Sequence, residues 1–260
     1  MMEKMYSSAP LVSVVMPAYN AEQYINRAVS SVVNQSVEDW ELLVIDDFSQ
    51  DNTYQVVKQM AMEDSRIKLH RNESNMGVAR TRNRALDMSR GAYVAFLDSD
   101  DMWYPQKLVN QIRAIKEKNA DMVYTSYRLV TPSDGGTRAE YIVPERVDLS
   151  AMLAQNYIGC STVLMSHKLA ADYRFSTECY HEDYALWLRM LQQGVTMIGL
   201  SEVQVDYTYY PTSKAGNKFR SAKKRWNIYR QYLGLSRWKS LAYFLQYAAS
   251  GIKKYRQLVR

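Results

Sequence analysis

Ala92-Tyr93-Val94-Ala95-Phe96-Leu97-Asp98-Ser99-Asp100-Asp101 runs from a strand-like apolar stretch straight into three carboxylates within four positions. Like charges this close disfavour joint ionisation unless something positive lies between them. A hard divalent cation carrying a substrate's phosphates would supply that charge. An isolated D-x-D is equally an ordinary solvated turn, so the surrounding sequence decides.

Upstream, Leu11 to Met16 is a β-branched run stopped by Pro17, and Tyr24 to Val33 places Ile25, Ala28, Val29, Val32 and Val33 at helical spacing. Trp40 to Ile45 reads as a second strand, with Asp51-Asn52-Thr53 capping a helix through Met62. Arg66 to His70 is a third strand, and Gly77 to Ser89 a helix that Gly91 should close. After the quoted strand, Pro105 opens a helix to about Lys118, and Asp121 to Tyr124 is strand-like again. Such alternation predicts an α/β fold, a Rossmann-like, mostly parallel sheet covered by helices.

Ligands of such sheets bind outside the carboxyl ends of the strands. Three clusters fall there: Pro17-Ala18-Tyr19-Asn20, Asp46-Asp47-Phe48-Ser49 and Asp98 to Asp101. Tyr19 can stack on a base and Asp47 can accept from a ring N–H, which suits a pyrimidine such as uracil. Each also has a plain structural reading, Tyr19 as an edge aromatic and the Asp pair as an Asx turn; Asp46 is assigned that structural role and Asp47 the ligand. Arg80, Arg82 and Arg84 follow Gly77, and Arg82 is the one expected to approach a diphosphate.

The composition, 47% apolar and 23% charged over 260 residues, is that of a globular chain. Cys160 and Cys179 match no metal spacing, and Met1 to Lys4 does not open a signal peptide. A cytoplasmic location is expected. Residues 214–260 carry 13 Lys and Arg and no Asp or Glu. Such a segment suits a polyanion or an anionic membrane face. Its aromatic and apolar residues keep amphipathic spacing, which predicts a C-terminal basic amphipathic helical extension that packs on the rest, meets a membrane, or both.

The stretches Val12 to Asn20, Val44 to Thr53, Asn75-Met76-Gly77, Arg82-Asn83 and Phe96 to Asp101 together resemble family 2 glycosyltransferases of the GT-A fold, over about the first 125 residues. The resemblance implies a nucleotide-sugar site in which Pro17, Ala18, Tyr19, Asn20, Asp47, Arg82, Asp98 and Ser99 hold the donor. It implies that Asp98 approaches ribose or metal and that Asp100 ligates Mn²⁺ or Mg²⁺. Phe48 stands where the family often has Gly. His181-Glu182-Asp183-Tyr184 before an apolar helix would alone read as dipole-favoured capping; it resembles the family's second acidic motif, which makes Asp183 the general base. Glu182, Trp187, Lys214 and Lys218 are expected on the acceptor or lid side, and Asn156 to Thr162 lines it by the same resemblance.

The expected organisation is a catalytic domain over 1–213, with a nucleotide-sugar half at about 10–125 and an acceptor half at about 126–213, then a basic, aromatic lid and helical tail over 214–260. The expected activity is inverting, metal-dependent transfer from a UDP-sugar to a lipid-diphosphate-linked saccharide, as in O-antigen or capsule synthesis, on the inner face of the membrane. An aspartyl phosphotransferase or phosphatase would want Thr or Val at position 102, where Met102 stands. A sugar-nucleotide pyrophosphorylase would want a Gly-rich basic loop after the first strand. A membrane- or nucleic-acid-binding module without catalysis would explain the tail but not the acids; no nucleic-acid partner is expected.

Overall fold

The computed structural model describes residues 9–131, 136–179, 181–209 and 218–258. Four parallel strands form one side of the sheet in the order β3-β2-β1-β4: β1 is Val12–Ala18, β2 Trp40–Asp46, β3 Ile67–Arg71 and β4 Tyr93–Phe96. The helices between them are α1 (Ile25–Val33), α2 (Thr53–Glu63) and α3 (Val78–Met88). Every residue of β1 and β2 is buried, the mark of strands covered on both faces. Ala18 lies opposite Asp46 in the register, so both strands end at the same level.

The remaining strands are β5 (Met102–Trp103), β6 (Met122–Val130), β7 (Thr137–Tyr141), β8 (Leu164–Ser166) and β9 (Met197–Thr208). The short β8 is antiparallel to both β4 and β6 and joins the two sides, while β6 and β9 are parallel and β5 and β7 antiparallel additions. The expected boundary between halves near residue 125 falls inside β6, which is one continuous strand. The two halves therefore share one sheet and one apolar core.

The remaining helices before the C-terminal segment are α4 (Lys107–Lys118), α5 (Leu149–Ala154), α6 (His167–Asp172) and α7 (Glu182–Gln192). The C-terminal segment contributes α8 (Lys218–Asn227), a π-helical turn over Ile228–Tyr232, and α9 (Arg237–Leu258). It packs on α5 and α7. Tyr229 Oη donates to Leu153 O at 2.5 Å and Tyr184 Oη to Met152 O at 2.8 Å. The Arg225 guanidinium lies between the rings of Tyr184 and Tyr247, 4.3 and 3.8 Å from their centroids.

Gly91 does not cap α3, which ends at Ser89 in an extended conformation. Its absent side chain lets the backbone press against β1: a Cβ there would stand 2.7 Å from the Val12 carbonyl carbon and closer still to Ser13 N. Ser13 Oγ accepts from Gly91 N at 2.8 Å and donates to Glu41 at 2.6 Å. Gly91→Ala should force this contact apart and cost about 3 kcal/mol, read as a lower urea midpoint at unchanged m.

Candidate active site

α3 begins where Asp47 holds it. The Asp47 carboxylate accepts from Met76 N at 2.8 Å, Gly77 N at 2.9 Å and Asn72 Nδ2 at 2.7 Å. Gly77 takes φ 83°, a backbone conformation that favours glycine. Three of the roughly four acceptor positions of a carboxylate are thus committed to loop 72–77, a use of Asp47 that the sequence does not show. Asp46, for which an Asx turn is expected, accepts from Ser49 N at 3.3 Å and pairs with Arg71 Nε at 3.0 Å.

From α3, Arg82 projects into the interior with a side chain only 4% exposed. Nη2 donates to Asp98 Oδ1 at 2.5 Å and Nη1 to Glu182 Oε1 at 2.6 Å. Phe175 lies beneath, its centroid 5.3 Å from the guanidinium carbon. Burial opposes the Arg82 charge, but the surrounding acids, Asp98 foremost, raise its pKa further above the usual arginine range. The guanidinium is turned onto two carboxylates, partners that the sequence reading does not give it. Its neighbour Asn83 pins the approach to the second acidic motif, exchanging two hydrogen bonds of 2.9 Å with the Phe175 backbone.

Residues separated by 84 positions in the chain are in this way held around one cation. Asp183 follows Glu182 in the first turn of α7, and its Oδ1 accepts from Tyr184 N at 2.7 Å. Desolvation, then the like charge of Glu182, push the Asp183 pKa up to about 7, against the opposing pull of Arg82. A carboxylate poised there suits proton transfer near neutrality. Tyr207 on β9 faces the same acids: burial first, then Asp101, Asp98, Asp183 and Asp100, raise its hydroxyl pKa. No sequence motif marks Tyr207, so only the return of β9 beside β6 reveals it.

The turn after β4 is fixed by its last acid. Asp101, 1% exposed, accepts from Ser161 Oγ at 2.5 Å and Thr208 N at 2.8 Å. Burial, then Asp100 and Asp98, raise its pKa well above the carboxylate range. Thr208 Oγ1 also donates to Asp100 O, as does Arg27 Nη2 at 2.9 Å. Asp98 and Asp100 are left partly accessible, with one Asp98 oxygen committed to Arg82. Among the described residues no group of three or more His, Cys, Asp or Glu gathers as a metal cage. Two hard oxygen donors without a cage fit an ion of the Mg²⁺ type that binds through one or two carboxylates and the substrate's phosphates.

Just past the end of β1, Tyr19 is 48% exposed and Asn20 is also exposed. Pro17 and Ala18 are buried in β1 and offer only backbone; Ala18 O already accepts from Asp47 N at 2.7 Å. Asn20 N donates to Ser49 Oγ at 3.0 Å and Asn20 Oδ1 accepts from Gln50 N at 2.9 Å, lacing the two loops together. Phe48 has φ 65°, which explains why glycine is favoured there. Ser99 is half-buried.

Trp187 corrects an expectation outright. It is fully buried, packed against Phe96 and Phe175 at 6.3 and 6.2 Å between centroids, so it supports the site from below and meets no acceptor. Cys160 is likewise buried. Lys218 opens α8, whereas Lys214, within 210–217, lies outside the described residues.

Residues 13–174 match the model of the glycosyl transferase family 2. The chain belongs to glycosyl transferase family 2. This glycosyltransferase is 37% identical over 246 residues to the putative teichuronic acid biosynthesis glycosyltransferase TuaG of Bacillus subtilis (strain 168), covering 94% of this chain and 97% of that one. It is 36% identical over 248 residues to WfgD of Escherichia coli, named a UDP-Glc:alpha-D-GlcNAc-diphosphoundecaprenol beta-1,3-glucosyltransferase, covering 94% and 95%. In fold it is similar to S. aureus TarS in complex with UDP-GlcNAc, with TM-score 0.71 and 22% identity over 91% of this chain and 71% of that one. It is also similar to the mannosyltransferase PcManGT from Pyrobaculum calidifontis in complex with GDP-Man and Mn²⁺, with TM-score 0.70 and 19% identity over 89% and 66%. The fold is GT-A.

Replacing Arg82 by Met should leave Asp98 and Glu182 without their shared partner and cost about 3–5 kcal/mol in stability, measured by chemical denaturation. Arg82→Lys should restore only part of it, because an ammonium lacks the planar fork that serves two carboxylates at once.

Proposed function

We propose that this glycosyltransferase moves one sugar from a nucleotide sugar, a UDP-sugar in our reading, to a lipid-diphosphate-linked saccharide in surface polysaccharide synthesis of the O-antigen or capsule kind, with inversion. The observation that carries the reading is the Arg82 bridge, which holds the acid after β4 beside the acids that open α7. The printed activity of WfgD, transfer from UDP-Glc to a GlcNAc-diphosphoundecaprenol acceptor with a beta-1,3 linkage, supports the donor and acceptor classes.

In this scheme the exposed Tyr19 stacks on the base, while Asn20 and the 47–50 loop shape the donor pocket. Asp98 and Asp100 would hold Mn²⁺ or Mg²⁺, which would supply positive charge to the leaving diphosphate. Asp183 takes the proton of the acceptor hydroxyl as that oxygen attacks the anomeric carbon from the side opposite the diphosphate. Glu182, held by Arg82, orients the turn that carries Asp183. One displacement converts an α-linked donor into a β-linked product. Among the described residues no helix is long and apolar enough to cross a membrane, and the reading places the enzyme peripherally on the inner membrane face, where its acceptor is anchored.

Asp183 must be ionised to act, and its pKa of about 7 sets the profile. Turnover should fall as pH drops through about 7, reaching about one tenth of the plateau one unit below. For stability the sign is opposite: a carboxyl whose folded pKa is raised favours the fold at low pH, a contribution lost as pH rises from the unfolded value toward about 7. Asp183→Asn should lower kcat by about 10²–10⁴-fold and abolish the acidic limb; normal turnover by this variant would remove Asp183 as the base. Asp100→Ala should raise the Mn²⁺ concentration needed for half-maximal activity, and an unchanged Mn²⁺ titration would count against the assigned ligand.

A further inference from the structure

The C-terminal helix α9 has two apolar faces, and only one of them is packed. The inward face places Ser240, fully buried, with Phe244 and Tyr247 against the catalytic domain. Phe244 meets Trp226 at 5.9 Å between centroids, Tyr247 meets Arg225, and Tyr243 Oη reaches Ser150 Oγ at 3.4 Å. On a surface helix the opposite face is expected to be polar. Here it carries Trp238, Leu241 and Leu245 at i, i+3 and i+7, exposed by 81, 40 and 61%, with Ala242 and Ala248 also exposed on that side. Packing against the catalytic domain accounts for the first face and leaves the second unexplained.

The charge around this stripe says what covers it. Arg237 and Lys239 flank Trp238 and are exposed, and the segment 214–260 has 13 basic residues and no acidic one. An interfacial helix combines an apolar face carrying Trp and Leu with flanking Lys and Arg, and each basic side chain near an anionic leaflet adds attraction. We infer that the Trp238–Leu241–Leu245 face of α9 is a docking surface for an anionic lipid bilayer, lying in the headgroup plane. This deepens the proposed function by naming the surface that meets the membrane, and rests on that reading only for the purpose of docking.

The packing gives the docking a consequence. Arg225 stacks on both Tyr247 of α9 and Tyr184 of α7, and Tyr184 is the residue after Asp183. The helix that would lie on the lipid is thus tied to the helix that carries the base. A bilayer seated on the outer face of α9 would set the orientation in which a membrane-anchored acceptor approaches α7.

The test is flotation of the full chain with vesicles of phosphatidylglycerol and phosphatidylcholine against vesicles of phosphatidylcholine alone, with tryptophan emission recorded in parallel. The expected result is binding to the anionic vesicles that weakens as salt rises, with a blue shift. The triple variant W238S/L241S/L245S should bind at least about tenfold more weakly while keeping transfer to a short-chain, water-soluble acceptor. The charge variant R237Q/K239Q, which leaves the stripe intact, should bind more weakly with a shallower salt dependence, and it keeps the test open should the triple variant not fold. Undiminished binding by either variant, or equal binding to neutral vesicles, would overturn the inference. So would a wild-type dimer in light scattering that the triple variant converts to monomer, which would give the stripe to a second copy. Vesicle binding without sugar transfer by the wild type would support the surface and count against the proposed function.

Discussion

The site is organised by one buried guanidinium. Arg82 carries a positive charge in a place where a lone charge would be costly, and it is tolerated because Asp98 and Glu182 take its two outer nitrogens. Neither acid would be stable there without it. The arrangement fixes the distance between the turn after β4 and the start of α7. It also separates three acids: Asp98 and Glu182 are ion-paired with Arg82, while Asp183, next to Glu182, is left with a raised pKa. A reaction that needs an electrophile stabilised on one side and a base on the other requires such a separation of charge states.

The surrounding hydrogen bonds show how firmly the frame is held. Asp101 joins Ser161 to the end of β9, and Asp47 ties loop 72–77 to β2. Phe48 adds a local cost of about 1–2 kcal/mol as a non-glycine residue in the left-handed region, offset in part by the Arg71 guanidinium 5.4 Å from its ring. This strain sits beside the exposed Tyr19, where the proposed scheme places the donor.

Periodicity and strand-ending clusters made the first four strands and three helices readable, because each is a long local pattern with its own start and stop. The antiparallel strands were harder. β5 has two residues and β8 three, too short for any pattern, yet β8 joins the two sides of the sheet. Within the site, the acids were visible from their motifs, but not what they bond to. The Asp47 ligand assignment looked natural because a carboxylate at a strand end is normally open; its capture by backbone amides of residues 76 and 77 is a tertiary fact. The motif places Trp187 on the acceptor side, but it lies on the same face of α7 as Asp183 one turn further along, where its side chain is fully buried against Phe96 and Phe175. Tyr207 and Thr208 carried no signal, being the last residues of a long strand whose end meets the acids only in space.

The most direct test of the central claim is the anomeric configuration of the product, determined by proton NMR after transfer from an α-linked nucleotide sugar chosen from a donor panel. Arg82 holds Asp98 and Glu182 around one centre, and the proposed scheme has Asp183 activate the attacking hydroxyl in a single displacement, so the account predicts a β-linked product. An α-linked product would mean that configuration is retained, and would contradict both the single displacement and the role given to Asp183.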